Sequence, residues 1–317
     1  MIEVQVCERN DEAEGICSFH LRRVDGAPLP PFEAGAHVDV HLPCDLVRQY
    51  SLYSPYDAQD GYRISVLNDP ASRGGSASLH SDVQVGMRLH ISAPRNLFAL
   101  ADGARHSLLF AGGIGITPIL CMAEQLAAQG KPFTLHYCAR SASRAAFVER
   151  LARSAYAQHV VLHFDDQPET ALDAAATLAA AHADDHLYVC GPGGFMQHIL
   201  DSARVQGWAQ ERVHREYFAA PAVETQPAAG SFAVKLNSSG QVYEVPADLS
   251  VAKALESHGV FINVSCEQGI CGTCLTGVLE GVPEHRDLYL SEEEQARNDQ
   301  FTPCCSRART PLLVLDL

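Results

Sequence analysis

Cys266-Glu267-Gln268-Gly269-Ile270-Cys271-Gly272-Thr273-Cys274 sets three thiols in C-x4-C-x2-C order, and Cys304 follows thirty residues further on with Cys305 beside it. Three clustered cysteines and one distant one are the ligand spacing of a [2Fe–2S] cluster, in which four thiolates hold two irons. Zinc sites draw instead on two pairs of closely spaced ligands. Three thiolates of one short loop reach a buried cluster only if the backbone wraps it, and Gly269 and Gly272 allow that approach. On spacing alone, either Cys304 or Cys305 supplies the fourth ligand.

Ahead of this loop, Phe232, Val234 and Leu236 alternate with smaller or polar residues, Asn237-Ser238-Ser239-Gly240 supplies a turn, and Gln241 to Val245 reads as a second strand. That hairpin opens a C-terminal domain over 231–317. The preceding stretch to Ala219 carries two prolines and no apolar period, so 221–230 reads as a linker. Over 1–103 short strands are expected at 3–6, 16–21, 37–42, 50–53, 62–67 and 88–92, separated by turns, which suggests a small antiparallel barrel. Over 104–220 strands alternate with helices expected at 118–128, 145–157, 171–183 and 195–206, which indicates a parallel sheet covered by helices.

The 317 residues are 47% hydrophobic and 19% charged, the composition of a chain that buries a core. Net charge is -15, from 23 Lys and Arg against 38 Asp and Glu, which disfavours nucleic acid as a partner. The longest apolar stretch, Leu108 to Ala123, is broken by glycines and Pro118, so no membrane span is expected. The first residues lack a basic segment followed by an apolar one, and a cytoplasmic location is the expectation. In that compartment eleven cysteines point to metal or catalysis before disulfides. The 15 histidines show no paired spacing, and no acid or base catalyst is expected among them.

Leu108-Leu109-Phe110-Ala111 runs into Gly112-Gly113-Ile114-Gly115-Ile116-Thr117-Pro118, a strand, a glycine turn and a helix start. This is a phosphate-binding layout, in which Thr117 is expected to cap the helix and Pro118 suits its first turn. Cys190-Gly191-Pro192 closes a second strand in the same domain, and ligands of open parallel sheets bind where such strand ends meet. Together they point to a nicotinamide dinucleotide. No acidic ribose ligand is evident after the next strand, which ends in Cys138-Ala139-Arg140-Ser141, and Arg140 or Arg144 can meet a phosphate, so NADPH stays open. In the first domain Arg48-Gln49-Tyr50-Ser51-Leu52 and Arg73-Gly74-Gly75-Ser76 supply a cation, an aromatic face, hydroxyls and a glycine turn, the parts a flavin needs.

Taken in this order, the three signals resemble the phthalate dioxygenase reductase family over the whole chain, itself similar to ferredoxin-NADP reductase fused to a plant-type ferredoxin. The resemblance implies a multidomain fold: an antiparallel β-barrel flavin domain, an α/β parallel-sheet nucleotide domain and an α+β β-grasp ferredoxin domain. It implies FMN held by Arg48, Tyr50, Ser51, Val66, Gly74, Gly75 and Ser76. NADH would meet Gly113, Ile114, Gly115, Thr117, Arg140, Cys190, Gly191 and Pro192. From Glu216-Tyr217-Phe218 it implies that Phe218 shields the flavin, with Cys190 near the nicotinamide. Cys304 becomes the fourth ligand beside Cys266, Cys271 and Cys274, and Cys305 a packed thiol. A flavin is required because NADH gives two electrons together and the cluster accepts one.

The expected activity is that of a monomeric reductase passing electrons from NADH to a Rieske-type terminal oxygenase. The other readings are a reductase serving a cytochrome P450 or another monooxygenase, and a metal-binding interaction protein without redox activity, whose zinc form would be colourless. The acceptor is expected to dock on 231–317, where six Lys and Arg face twelve Asp and Glu and Glu292-Glu293-Glu294 is the densest acidic run.

Overall fold

Val4 and Val6 alternate with charged neighbours and turn inward, and the strand they begin organises the N-terminal barrel. In this computed structural model residues 1–54, 60–219 and 230–317 are described. They fall into two units, Met1–Phe218 and Ala219–Leu317. The expected linker lies, apart from Gly230, outside the described residues.

The first sheet contains β1 (Ile2–Ala13), β2 (Ile16–Arg23), β3 (Ala36–His41), β4 (Val47–Ser51), β5 (Tyr62–Leu67), β6 (Arg88–Ile91) and β7 (Arg95–Asn96), with helix α1 (Gly75–Ser81) after β5. Its order is β4-β3-β6-β1-β2-β5, with β7 on β3, and the pairs are antiparallel. A bridge between Leu52 and Ile64 joins the two ends, so the sheet closes on itself. β1 runs well beyond the expected 3–6. Register shifts after Val6 and after Asp11 break the alternation, which hides the strand's polar second half from a period-2 reading.

The second sheet is parallel: β8 (Ser107–Gly112), β9 (Phe133–Ala139), β10 (Val160–Phe164), β11 (His186–Cys190) and β12 (Val213–Glu216), in the order β10-β9-β8-β11-β12. Between them run α2 (Ile116–Ala128), α3 (Val148–Ala152), α4 (Ala174–Ala179) and α5 (Gly193–Val205). Every residue of β8 is buried, as in a central strand covered on both faces. The chain reverses direction across the sheet between β8 and β11, which opens a crevice at their carboxyl ends.

Two expected helices are shorter than their patterns. The 145–157 segment holds a helix only at α3, because Phe147 sits at φ +63 with its ring 4.7 Å from Tyr53 of the barrel, and Ser154 bonds back to the Leu151 carbonyl. The 171–183 segment begins its helix only after Asp173, whose side chain accepts the Ala176 N–H at 2.9 Å, and ends at Ala179.

Barrel and parallel sheet share one continuous apolar core, from Val4, Phe19 and Ile64 through Ile116, Leu120 and Met122 to Leu135 and Tyr137. Between them the Ala34 N–H donates to Gln125 Oε1 at 3.0 Å, and the Cys121 thiol to the Ser54 carbonyl at 3.2 Å. The far face of the parallel sheet packs Phe110 and Val189 on Met196 and Ile199 of α5.

The second unit has its own core. Its strands are β13 (Phe232–Leu236), β14 (Val242–Val245), β15 (Thr276–Glu280), β16 (Pro283–Glu284), β17 (Gln300–Phe301), β18 (Arg307–Ala308) and β19 (Leu312–Leu315), with helices α6 (Val251–Glu256) and α7 (Glu292–Arg297). The sheet order β14-β13-β19-β15-β17 is mixed, with β13 parallel to β19 and the other pairs antiparallel. Val251, Ala254 and Leu255 of α6 pack on it, the β-grasp arrangement. Among the described residues no helix is long and apolar enough to cross a membrane.

Candidate functional site

The cysteine loop between α6 and β15 has no regular structure, and Glu267, Gly269 and Gly272 turn it through positive φ angles of 55, 71 and 66°. Cys266, Cys271, Cys274 and Cys304 are all buried. The Gln268 N–H points at Cys266 Sγ and the Thr273 N–H at Cys271 Sγ, both at 3.4 Å. Such donors favour thiolates. Hydrogen bonding from Cys271, then from Cys304, drives Cys266 far below the usual thiol range, and hydrogen bonding from Cys304 also lowers Cys274. Among the described residues no three ligand-type side chains close on one point as around a single ion. The sulfurs are instead paired, Cys266 with Cys271 and Cys304, and Cys304 with Cys266, Cys274 and Cys305. Four buried neighbouring thiols, with N–H groups aimed at two of them, suit a cluster of two irons.

Cys305 is half-buried and bonds Cys304, with Thr302 and Ser306 as its further contacts. Its sulfur lies 3.3 Å from Thr302 Oγ1 and 3.9 Å from Ser306 Oγ, and a Cβ on Gly269 would fall 2.4 Å from it. A Cβ on Gly272 would strike the Tyr289 ring at 2.3 Å. Both glycines therefore make room for neighbouring side chains as well as turning the loop. Sequence reasoning missed Asp287, which is buried against this loop. Its carboxylate accepts the Leu290 N–H at 2.8 Å and the Ser306 hydroxyl at 3.3 Å.

In the first unit the two glycine turns meet. A Cβ on Gly115 would lie 2.2 Å from the Cys190 carbonyl oxygen, and one on Gly191 would lie 2.9 Å from Gly112 Cα and 2.8 Å from the Phe195 ring. Gly113, at φ +53, and Ile114 continue the turn into the N-terminus of α2, and Pro192 precedes α5. Both helix starts thus lie at the carboxyl ends of β8 and β11, where the strand order reverses. Thr117 is not a cap: it is buried inside the first turn of α2 and its hydroxyl donates to the Ile114 carbonyl at 3.1 Å, while Gly115 takes the capping position. Arg140 is exposed just after β9. Arg144 is bound to Glu14 at 2.6 Å.

The flavin candidates gather on β4, β5 and α1. Tyr50 and Ser51 lie on β4, and the Arg48 stem crosses Gly75 so closely that a Cβ there would fall 2.7 Å from Arg48 Cγ. Gly74, at φ +94, starts α1, and Ser76 accepts the Asp69 N–H at 3.3 Å. Val66 is buried on β5, and its carbonyl pairs with His80 at 2.9 Å. A cation stem against a bare helix start, beside an aromatic ring, fits a phosphate and a ring system together. Phe218 is 40% exposed, an unusual placement for its type.

One further side chain joins this set. Glu216 ends β12 in register with Cys190 of β11, and its carboxylate accepts the Ser51 hydroxyl at 3.1 Å. Burial pushes the Glu216 carboxyl up to about 8, with the Ser51 bond acting the other way. Burial, then the Glu216 charge, pushes the Cys190 thiol well up. In the sequence Glu216 is visible only as the start of Glu216-Tyr217-Phe218.

The 2Fe-2S iron-sulfur cluster binding domain matches residues 234–309, and the dimethylamine monooxygenase subunit DmmA-like N-terminal domain matches 83–213. Vanillate O-demethylase oxidoreductase of Pseudomonas putida is 66% identical, with 100% of each chain covered. The phthalate dioxygenase reductase structure superposes with a TM-score of 0.76 at 37% identity, covering 100% of this chain and 98% of that one. An intact type IV self-sufficient cytochrome P450 monooxygenase gives 0.88 at 34%, covering 100% of this chain and 41% of that one. With its barrel, parallel sheet and β-grasp unit matched along their whole length, the chain belongs to the phthalate dioxygenase reductase family of NADH-dependent flavin and iron-sulfur oxidoreductases, the reductase components of oxygenase systems.

Proposed function

We propose that the chain is the electron-supplying partner of a Rieske-type terminal oxygenase, with FMN as its flavin. The contact between the turns at Gly115 and Cys190 carries this reading, because it sets two phosphate-binding helix starts side by side at a sheet switch point. Gly113, Ile114, Gly115, Thr117, Arg140, Cys190, Gly191 and Pro192 bind NADH. Thr117 acts through the turn that it braces. Arg48, Tyr50, Ser51, Val66, Gly74, Gly75 and Ser76 hold FMN, and Phe218 covers the ring. Ser51 and Glu216 hold a hydroxyl and a proton next to Cys190, where the nicotinamide meets the flavin. Cys266, Cys271, Cys274 and Cys304 are the cluster ligands. When bound, flavin supplies the conversion from a two-electron donor to a one-electron acceptor. The working domains are 1–103, 104–220 and 231–317, in a monomer acting in the cytoplasm.

The resemblance to a vanillate O-demethylase oxidoreductase favours an oxygenase that demethylates vanillate as the acceptor. Mixing the reductase with such a purified oxygenase should give vanillate-dependent NADH oxidation, and no vanillate dependence would refute this assignment. The likeness to a P450 fusion supports a second reading, in which a cytochrome P450 is the acceptor. NADH-driven appearance of the reduced haem–CO band, with no turnover by the Rieske protein, would favour it.

A further inference from the structure

We infer that Glu14 makes the nucleotide site selective for NADH over NADPH by occupying Arg144. This rests on the placement of the dinucleotide proposed above. In a doubly wound sheet the adenosine ribose lies at the end of the strand beside the glycine-turn strand, and an Arg there accepts the 2′-phosphate of NADPH. That strand is β9, and Arg140-Ser141-Ala142-Ser143-Arg144 follows it. Two arginines in that loop leave NADPH open, whereas the site proposed above is read as taking NADH.

Glu14 favours NADH. It sits at the tip of the β1–β2 hairpin of the barrel, and its carboxylate takes Arg144 Nη2 at 2.6 Å. Its own N–H donates to the Ser143 carbonyl at 2.9 Å, so backbone and side chain of one residue grip the loop together. The tip is itself fixed, because the Asn68 N–H donates to the Gly15 carbonyl at 2.8 Å. Gripped this way, the Arg144 guanidinium is neutralised and a carboxylate stands where a dianionic phosphate would approach. On the other flank, the Asp165 and Asp166 N–H groups bond the carbonyls of Ala139 and Arg140, which keeps two more acidic residues beside the loop. Arg140 remains for the shared part of the nucleotide. Glu14 touches Arg144 and the loop backbone. It is a positioning residue, and the pair's worth to stability is small because both side chains are about half exposed.

The test uses holoenzyme and two half-nucleotides, 5′-AMP and 2′,5′-ADP, which differ at the 2′ position, with calorimetric Kd as the readout. Glu14→Gln should leave 5′-AMP affinity and kcat/KM for NADH within about twofold. It should tighten 2′,5′-ADP and raise kcat/KM for NADPH by about two- to fivefold, the size of one exposed charge interaction. Adding Arg144→Ala should erase that gain. A Glu14→Gln protein with unchanged 2′,5′-ADP affinity would overturn the inference, as would a gain that survives Arg144→Ala. Failure of the wild type to bind 5′-AMP would instead bring down the site assignment itself.

Discussion

At the scale of single residues, the choice between Cys304 and Cys305 is the clearest case of what a structure adds. Spacing cannot separate adjacent cysteines. The ligand set we propose takes Cys304, which is buried and bonds Cys266 and Cys274 as well as Cys305, while Cys305 is half-buried against Thr302, Ser306 and Gly269. Cys304→Ser should therefore lose the visible absorption and the reduced-state paramagnetic signal of the cluster, and Cys305→Ser should keep both. The reverse pattern would move the ligand by one residue. Glu216 allows a second test. Its folded value of about 8 lies above the ordinary 4.5, so between those pH values the folded chain holds a proton that the unfolded chain has released. This contribution to stability is present in full below pH 4.5 and is lost as pH rises to about 8. The slope is at most about 1.4 kcal/mol per pH unit. Thermal unfolding followed from pH 5 to 8 should show a shallower fall for Glu216→Gln than for the wild type; parallel curves would show that the carboxyl is already ionised.

At the scale of elements, the glycine seam is both the most legible and the most fragile part of the nucleotide site. Gly115→Ala would place a methyl 2.2 Å from a backbone oxygen that cannot swing away. We expect a loss of about 1–3 kcal/mol or more, as for an overpacked core, together with weakened NADH binding. Chemical denaturation and calorimetry would measure them, and a wild-type midpoint would mean that the two turns are free to separate. The turn, the parallel strands and the β-grasp hairpin could be read in advance because they follow from local periodicity and turn chemistry. The short α3 could not, since it depends on Phe147 meeting Tyr53, a contact across more than ninety positions. The same holds for Asp287 and Glu216, each an ordinary acid in the sequence whose partners come from distant segments. Thr117 misled for a related reason: its type suits a cap, but the chain enters α2 two residues earlier.

At the scale of the whole molecule, the two units should separate two chemistries. Cys271→Ser should abolish the cluster and leave NADH-dependent flavin reduction intact, because the nucleotide and flavin candidates all lie in Met1–Phe218. Stopped-flow absorbance at the flavin band would decide, and a folded variant unable to reduce flavin would refute the division. For the acceptor, the acidic run is narrower than its sequence suggests: Glu294 is engaged with Ser291 in a capping box that starts α7, which leaves Glu292 and Glu293 exposed. If they steer the oxygenase, Glu292→Gln with Glu293→Gln should slow electron transfer at low salt and flatten its salt dependence, since exposed charges are screened over ~8 Å at physiological ionic strength. Equal rates and slopes would remove them from the docking face. The continuous core beneath barrel and parallel sheet also bears on how such a chain is inherited. Recombination between the two sheets would leave each with a raw apolar face, so the flavin and nucleotide halves must travel as a single cassette. The natural breakpoint for gene fusion or for grafting a new electron carrier lies after Phe218.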